Sequence, residues 1–445
     1  MRIGYYAHHH GSGHCRQADK LAALLPPKLR SQMTVFTSLP NDGYHFSAIT
    51  DEQIVRLSAE DQLPEDVLLG RAGKYWQPSS LHYSPVGNRN VQTRSWQLLD
   101  EIHQRQIDLM IIDVSAEVAM LCRAASVPYL YVRLAGERDD MPHLNAFAGA
   151  LGLLAPYPKA LEAAATPDWV RQKTLYLDFM PNKTNELLTF AAFINKLTTL
   201  TTDKTIHERL HSRLDAVDKS AEGNAKDNAK DNANEGNANE GNANEGNANE
   251  GNIVTVIKGY GGHDAIDAKL PELRRALPNA LIISLGPIND EARDYVDIAV
   301  HVDNVTPFIV YSDLLLMACG LNGIAQVYDY ATPLVVLPDA RPHREQEVMA
   351  EALIEQGRAL SWAQFINETS SLGSQDIPSF LSVNNKSISN GSISNESINT
   401  DKTALTDNQD NTPAQKFMDS VADYVSVKAW FEEWLLPQLG LKPEK

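Results

Sequence analysis

Two side chains that lie far apart in the chain have the types that proton transfer needs. His14 closes the glycine-rich turn Gly11-Ser12-Gly13. An imidazole titrates near neutrality, so His14 is a candidate general base. Asp113 ends the apolar run 107–113. A carboxylate there can orient such an imidazole and stabilise its protonated form. Each residue also has a plainer reading: a turn histidine bonded to backbone, and an aspartate capping the helix after it. A second set of residues suits an anion. Gly259, Gly261 and Gly262 follow one strand-like run, and Gly320 and Gly323 follow another. Such turns present backbone N–H groups to a phosphate, and a helix start adds its dipole, though ordinary turn chemistry also explains glycines there. His8, His9 and His10 are adjacent, and neighbouring strand residues point to opposite faces, so no metal site is expected of them.

The segments that carry these residues alternate between strand and helix patterns. Residues 2–7 read as a strand, 16–25 as a helix with Ala18, Leu21, Ala22, Leu24 and Leu25 near the 3.6 period, and 33–38 as a second strand. Residues 45–95 are irregular and rich in Pro, Gly, His, Trp and Tyr. A helix is expected over 95–106. The continuous apolar run 107–113 has the pattern of a parallel strand buried on both faces. A helix over 116–125 and a strand over 128–134 follow. After residue 253 the alternation resumes: strands at 253–257, 281–285, near 300–302, 313–317 and 333–337, with a helix carrying Leu270, Leu273 and Leu277. Repeated alternation of this kind implies α/β units with parallel sheets.

The expected organisation is an N-terminal α/β domain over 1–183, a connector over 184–252, and a second α/β domain over 253–380. An insert over 381–411 and a helix over 412–445 complete it. Residues 225–251 hold two copies of Ala-Lys-Asp-Asn and four of Asn-Ala-Asn-Glu-Gly, and the 384–411 stretch repeats Ser-Ile-Ser-Asn. Neither has an apolar period, so both are expected to be disordered, and neither carries a candidate site residue. The last helix is marked by Thr412 as N-cap, Pro413 at its first turn, and the stripe Phe417, Val421, Tyr424, Val425, Phe431, Trp434 and Leu435.

The chain has 445 residues, of which 43% are hydrophobic, ample for two packed cores. A formal net charge of −18 argues against sequence-independent binding to nucleic acid. Cys15, Cys122 and Cys319 are odd in number and widely spaced, which fits a reducing compartment and no zinc motif. No secretory signal and no apolar run of about 18 residues is present, so a cytoplasmic protein without a transmembrane span is expected.

The stretch from Asp313 to Gly357 resembles the donor half of GT-B-fold glycosyltransferases, particularly family 28 and its relatives. It holds a glycine turn, a helix, a proline turn into a strand ending in Pro, then Glu-Gln followed by a spaced Ala, Leu and Gly. Pro333, Pro338, Glu345, Gln346, Ala350, Leu353 and Gly357 keep that spacing. The Gly11-Ser12-Gly13-His14 turn is similar to that family's glycine-rich loop. Asp113-Val-Ser-Ala-Glu with Val127-Pro128 is similar to its acceptor-side strand–helix–strand. Three motifs in order cover most of the chain outside the inserts.

The resemblance implies two Rossmann-like domains facing across a cleft, the acceptor and the base on the N-terminal one, the nucleotide sugar on the other. It implies an inverting, metal-independent hexosyltransferase acting on a cell-envelope polysaccharide, another saccharide, a lipid-linked acceptor or a small molecule. No resident cofactor is expected; a UDP-sugar is the co-substrate. Contact with the inner face of a membrane is compatible with it. Glu345 and Gln346 would bond the sugar hydroxyls. Arg341, His343 and Arg344 could add positive charge nearby. Three positions depart from the pattern. Gln326 stands where a glutamate usually holds the ribose, and a neutral amide bonds a hydroxyl more weakly than a carboxylate does. Thr332 replaces a glycine and Met349 an asparagine. Two other readings stay open: an epimerase of the same fold, and a non-catalytic sugar-nucleotide binder.

Overall fold

The computed structural model describes residues 1–8, 12–59, 78–180, 187–215, 252–259, 264–371 and 429–442. Both low-complexity inserts, and the 412–428 part of the last helix, lie outside them. The described residues form two compact units, one from those within 1–182, 341–352 and 397–445, the other from those within 183–340 and 353–396.

The first unit is built on seven strands: β1 (Ile3–Tyr6), β2 (Met33–Thr37), β3 (Ile54–Arg56), β4 (Leu109–Asp113), β5 (Tyr129–Val132), β6 (Gly152–Ala155) and β7 (Thr174–Tyr176). All neighbours run parallel, in the order β3-β2-β1-β4-β5-β6-β7. β1, β2, β4, β5 and β6 are buried at every position, as strands covered by helices on both faces must be. Side chains alternate between two cores. Tyr5, Ile111 and Val132 face one with Ala18 and Leu21, while Tyr6, Ile112 and Tyr131 face the other with Val118 and Ala119. The first core also takes in Trp430, Phe431, Trp434 and Leu435 from a π-type helical segment, Trp430–Leu435. Gly152 in β6 lies against Trp434, whose ring a methyl group there would meet at 2.5 Å.

The second unit holds β8 (Ile253–Ile257), β9 (Leu281–Leu285), β10 (Ile298–Val300), β11 (Leu314–Met317), β12 (Leu334–Val336) and β13 (Leu360–Ser361). They are again parallel, in the order β10-β9-β8-β11-β12-β13. The connector stretch contributes to this core: Phe193, Ile194 and Leu197 of the helix Phe190–Thr199, with Ile206 and Leu210, cover Ile253, Leu281 and Ile283.

Several elements differ from the sequence expectation for local reasons. The helix expected from Ser95 begins at Arg89, because the Asn88 side chain accepts the Val91 N–H at 3.0 Å and caps it there. Within the stretch read as irregular, β3 is a half-buried edge strand of three residues. β6 carries Gly-Leu-Leu-Ala, with no β-branched residue to mark it, and β13 is two residues long. Cys15, Cys122 and Cys319 are free and buried. Among the described residues no helix is long and apolar enough to cross a membrane.

Arg133, which follows β5, is almost wholly buried and pairs with Glu162 through two bonds of 2.5 and 2.8 Å. Glu162 also accepts from Thr166 at 2.7 Å and Tyr176 at 2.7 Å. Removing one partner of a buried pair strands the other charge, at a cost of about 3–5 kcal/mol. Arg133→Met should therefore lower unfolding free energy by about that amount in denaturant melts, and adding Glu162→Leu should restore part of it.

Candidate active site

The strand order of the first sheet reverses between β1 and β4, and open parallel sheets take their ligands outside the strand ends at such a point. The chain leaves β1 into the helix Gly13–Leu24 and leaves β4 into Val114. His14 and Asp113 therefore come together although 99 residues separate them. Of the glycine turn, Gly11 lies outside the described residues. Ser12 precedes the helix, and its carbonyl accepts the Arg16 N–H at 3.0 Å, while its side chain makes no capping bond. Gly13 opens the helix and so puts His14 in its first turn.

Nδ1 of His14 lies 3.0 Å from Oδ2 of Asp113, and the Tyr5 hydroxyl donates to the same oxygen at 3.1 Å. With Nδ1–H donating to the carboxylate, Nε2 keeps the lone pair a base needs. Asp113 is fully buried, and its Oδ1 has no partner among the described residues. Burial is the largest influence on His14 and opposes its charge. The charge and hydrogen bond of Asp113, with the charge of Glu345, outweigh both that and the repulsion of Arg138, so the imidazole pKa is raised above 6.5. Burial, and then Asp113, push the Tyr5 phenol well above its ordinary value, so it stays a neutral donor.

Asp113 is not the cap of the helix that follows it. Ser115 fills that role, its side chain accepting the Val118 N–H at 3.2 Å. The turn between them is strained. Val114 sits at φ 52°, a left-handed conformation unfavourable for a β-branched residue, and Ser115 N–H closes on the Asp113 carbonyl at 2.8 Å.

Glu345, the first residue of the helix Glu345–Glu355, packs with the first unit and accepts from Arg138 at 3.2 Å. Gln346 beside it is buried. Residues 341–345 are held against the 135–140 loop by backbone. The Glu137 N–H donates to the His343 carbonyl at 2.7 Å, and Gly136, at φ 106°, leaves room for that carbonyl. His343 and Arg344 both take left-handed backbone, at φ 61° and 51°.

Three imidazoles surround one carboxylate there. His82 Nε2 is 3.1 Å from Asp140 Oδ1, while His143 Nδ1 and His343 Nδ1 are 2.8 and 3.3 Å from Oδ2. Arg138 donates to His143 Nε2 at 3.1 Å. Burial first, and then the Arg138 charge, lower the His143 pKa to about 3 and also lower that of His343. His343 is therefore neutral near pH 7, and of the cations expected nearby from the sequence it supplies none. Asp140 is held down to about 2: burial opposes its charge, but the His143 backbone and side-chain bonds prevail.

The second sheet reverses between β8 and β11. Gly259 follows β8 at that point, and Gly320 precedes the helix Leu321–Val327 after β11. Gly261 and Gly262 lie outside the described residues. Gly323 stands within that seven-residue helix, packed close to Met317. Gln326 turns its amide back on the same helix, Nε2 bonding the Asn322 carbonyl at 2.9 Å.

Tyr5, Arg138 and the cluster His82, Asp140 and His143 were not singled out in the sequence. Asp140 and His143 carry a weak signal, since an i, i+3 spacing at a helix start brings a cap and its partner together. His82 lies in an aperiodic stretch, and only the fold brings His343 to it.

No protein-family profile matches the chain, and no curated protein does. Solved structures do. The spinosyn rhamnosyltransferase SpnG, solved with thymidine diphosphate, is 14% identical with a TM-score of 0.50, over 87% of this chain and 95% of that one. MurG of Acinetobacter baumannii is 9% identical with a TM-score of 0.49, over 87% and 95%. SsfS6, a glycosyltransferase of Streptomyces sp. SF2575, is 11% identical with a TM-score of 0.47, over 87% and 94%. The likeness to SpnG shows the fold: this chain is a two-unit α/β protein of the GT-B kind, as the motif resemblance implies.

Two glycines separate packing from ligand access. A methyl group on Gly136 would meet the His343 carbonyl oxygen at 2.5 Å, whereas one on Gly259 meets nothing within 4 Å among the described residues. Gly136→Ala should lower stability by about 1–3 kcal/mol from its strained backbone alone. Gly259→Ala should leave the melting temperature unchanged. Thermal melts of the two variants check the contrast.

Proposed function

We propose that the chain is a glycosyltransferase that moves a sugar from a nucleotide donor to a hydroxyl acceptor, inverting the anomeric carbon by direct displacement. The observation that carries this reading is the His14–Asp113 pair at the strand-order reversal of a GT-B-type unit. In the proposed step, Nε2 of His14 takes the acceptor hydroxyl's proton as its oxygen attacks the anomeric carbon. The nucleoside diphosphate leaves with the electrons of the broken bond. Asp113 holds the imidazole in the needed tautomer and stabilises the imidazolium that forms.

The nucleotide belongs at the reversal of the second sheet, where Gly259 and Gly320 stand. Backbone N–H groups there would meet the diphosphate without a metal, and Glu345 and Gln346 would meet sugar hydroxyls. The motif resemblance favours UDP, and the SpnG structure of similar fold holds thymidine diphosphate. A pyrimidine nucleoside diphosphate is common to both, so UDP- and TDP-sugars are the donors to test first. One competing reading, a non-catalytic sugar-nucleotide binder, is motivated by Gln326 standing where the resemblance expects a glutamate.

Incubation with UDP- and TDP-sugars in the absence of acceptor separates these readings. Slow hydrolysis to the nucleoside diphosphate supports the transferase, a sugar isomer supports an epimerase, and binding without either supports the binder. In the transferase reading, His14→Ala lowers turnover by about 10²–10⁴-fold while donor affinity barely moves. The base works only when unprotonated, and its pKa is raised. The pH–rate profile should thus fall on the acid side with a midpoint above 6.5, not at the free-imidazole value. Asp113→Asn, which removes the stabilising charge, should move that midpoint down and lower the plateau.

A further inference from the structure

The cluster of His82, Asp140, His143 and His343 lies outside the proton-transfer pair and has no part in the step above. One ligand-type atom from each comes within 4.8 Å of every other. His143 Nδ1 and His343 Nδ1 lie 2.8 and 3.3 Å from Asp140 Oδ2, and His82 Nε2 lies 3.1 Å from Oδ1 of the same carboxylate. A tetrahedral Zn²⁺ site, with bonds of about 2.0–2.1 Å to nitrogen and carboxylate oxygen, has ligand atoms about 3.3 Å apart. The four residues come from three separate stretches: the loop before the helix Arg89–Gln104, the start of the helix Met141–Gly149, and the 341–352 segment. Each is fixed by its own backbone. Glu117 Oε1 accepts the N–H groups of His82 and Tyr83 at 2.7 and 3.0 Å. Asp140 caps its helix through the His143 N–H at 3.0 Å. Glu137 holds the His343 carbonyl, and His343 keeps a left-handed backbone that only a well-determined surrounding sustains.

We propose that these four side chains form a binding site for a divalent transition-metal ion of the zinc class. Three imidazoles and one carboxylate suit Zn²⁺, where an all-oxygen set would suit Mg²⁺ or Ca²⁺. With all four positions filled by protein, the site is of the closed, structural type. The ion ties residues 341–345 to the 78–88 and 135–143 loops of the same unit and takes no part in leaving-group departure. In the metal-free form His82 and His143 turn an N–H toward Asp140, and His343 Nδ1 stands 3.3 Å from it. On binding, the tautomer changes and the same nitrogen offers its lone pair. For His143 this moves the proton from Nδ1 to Nε2 and turns Arg138 away from that atom. Arg138 retains two other acceptors, the Ala135 carbonyl and Glu345, each at 3.2 Å.

The test is direct and does not pass through catalysis. The full-length protein, stripped with a chelator and dialysed, is titrated with Co²⁺, whose visible absorption reports tetrahedral coordination, and then with Zn²⁺. One equivalent of Co²⁺ should give an intense, saturable spectrum that Zn²⁺ abolishes, and Zn²⁺ should raise the melting temperature. His82 lies on a half-exposed loop, so His82→Ala keeps the fold, checked by circular dichroism. This variant should weaken binding by more than the about 10–100-fold that loss of an outer-shell partner costs, and the Zn²⁺-dependent melting shift should vanish. A saturable spectrum unchanged in His82→Ala, its loss in His10→Ala instead, or no saturable binding at all would each overturn the proposal.

Discussion

A fully buried carboxylate at the end of a central strand is the constraint on which the site rests. Leaving an ionised group dry is costly unless donors meet it. Asp113 is met on one oxygen by His14 and Tyr5. Both donors depend on β1 lying beside β4: Tyr5 is within β1 and His14 follows it by one turn. The parallel pairing Tyr5↔Ile111 and Tyr6↔Ile112 thus sets the chemistry as well as the core. The strained Val114 and the Ser115 cap serve the same arrangement, because they let the next helix start without drawing Asp113 into its first turn.

The second oxygen of Asp113 and the buried Tyr131 hydroxyl have no partners among the described residues. Buried polar atoms without partners are rare in native interiors and mark places where water or a ligand completes the network. Around them, opposite charges are balanced across short distances: Arg138 bonds Glu345 and His143, and the fields of both Arg138 and Glu345 reach His14. The imidazole's proton affinity is therefore set by its burial and by Asp113, Arg138 and Glu345, from three distant parts of the sequence.

Much of this was legible in the sequence because its signals are local. Strand-like runs marked β1, β2, β4, β8, β9 and β11, and the glycine turn marked the passage from β1 to the first helix. His14 and Asp113 could be paired because His14 closes the turn that follows one clear strand and Asp113 ends another. What could not be read depends on long-range packing. Nothing in the composition of 45–95 places His82 beside Asp140, and the neutrality of His343 follows from burial next to Arg138. Glu345 was expected to act with the second domain, yet its helix start packs with the first unit, because the Gly136 backbone makes room for the chain there. Short strands such as β3 and β13 have too few residues to show a period.

Asp113 raises the basicity of His14 in the folded protein. The most direct measurement is an NMR titration of the His14 imidazole, assigned among the 13 histidines by comparison with a His14→Gln variant, in wild type and in Asp113→Asn. The wild-type pKa should lie above 6.5 and fall clearly when the carboxylate becomes an amide. A His14 that titrates at or below 6.5 and does not respond to Asp113→Asn would contradict it.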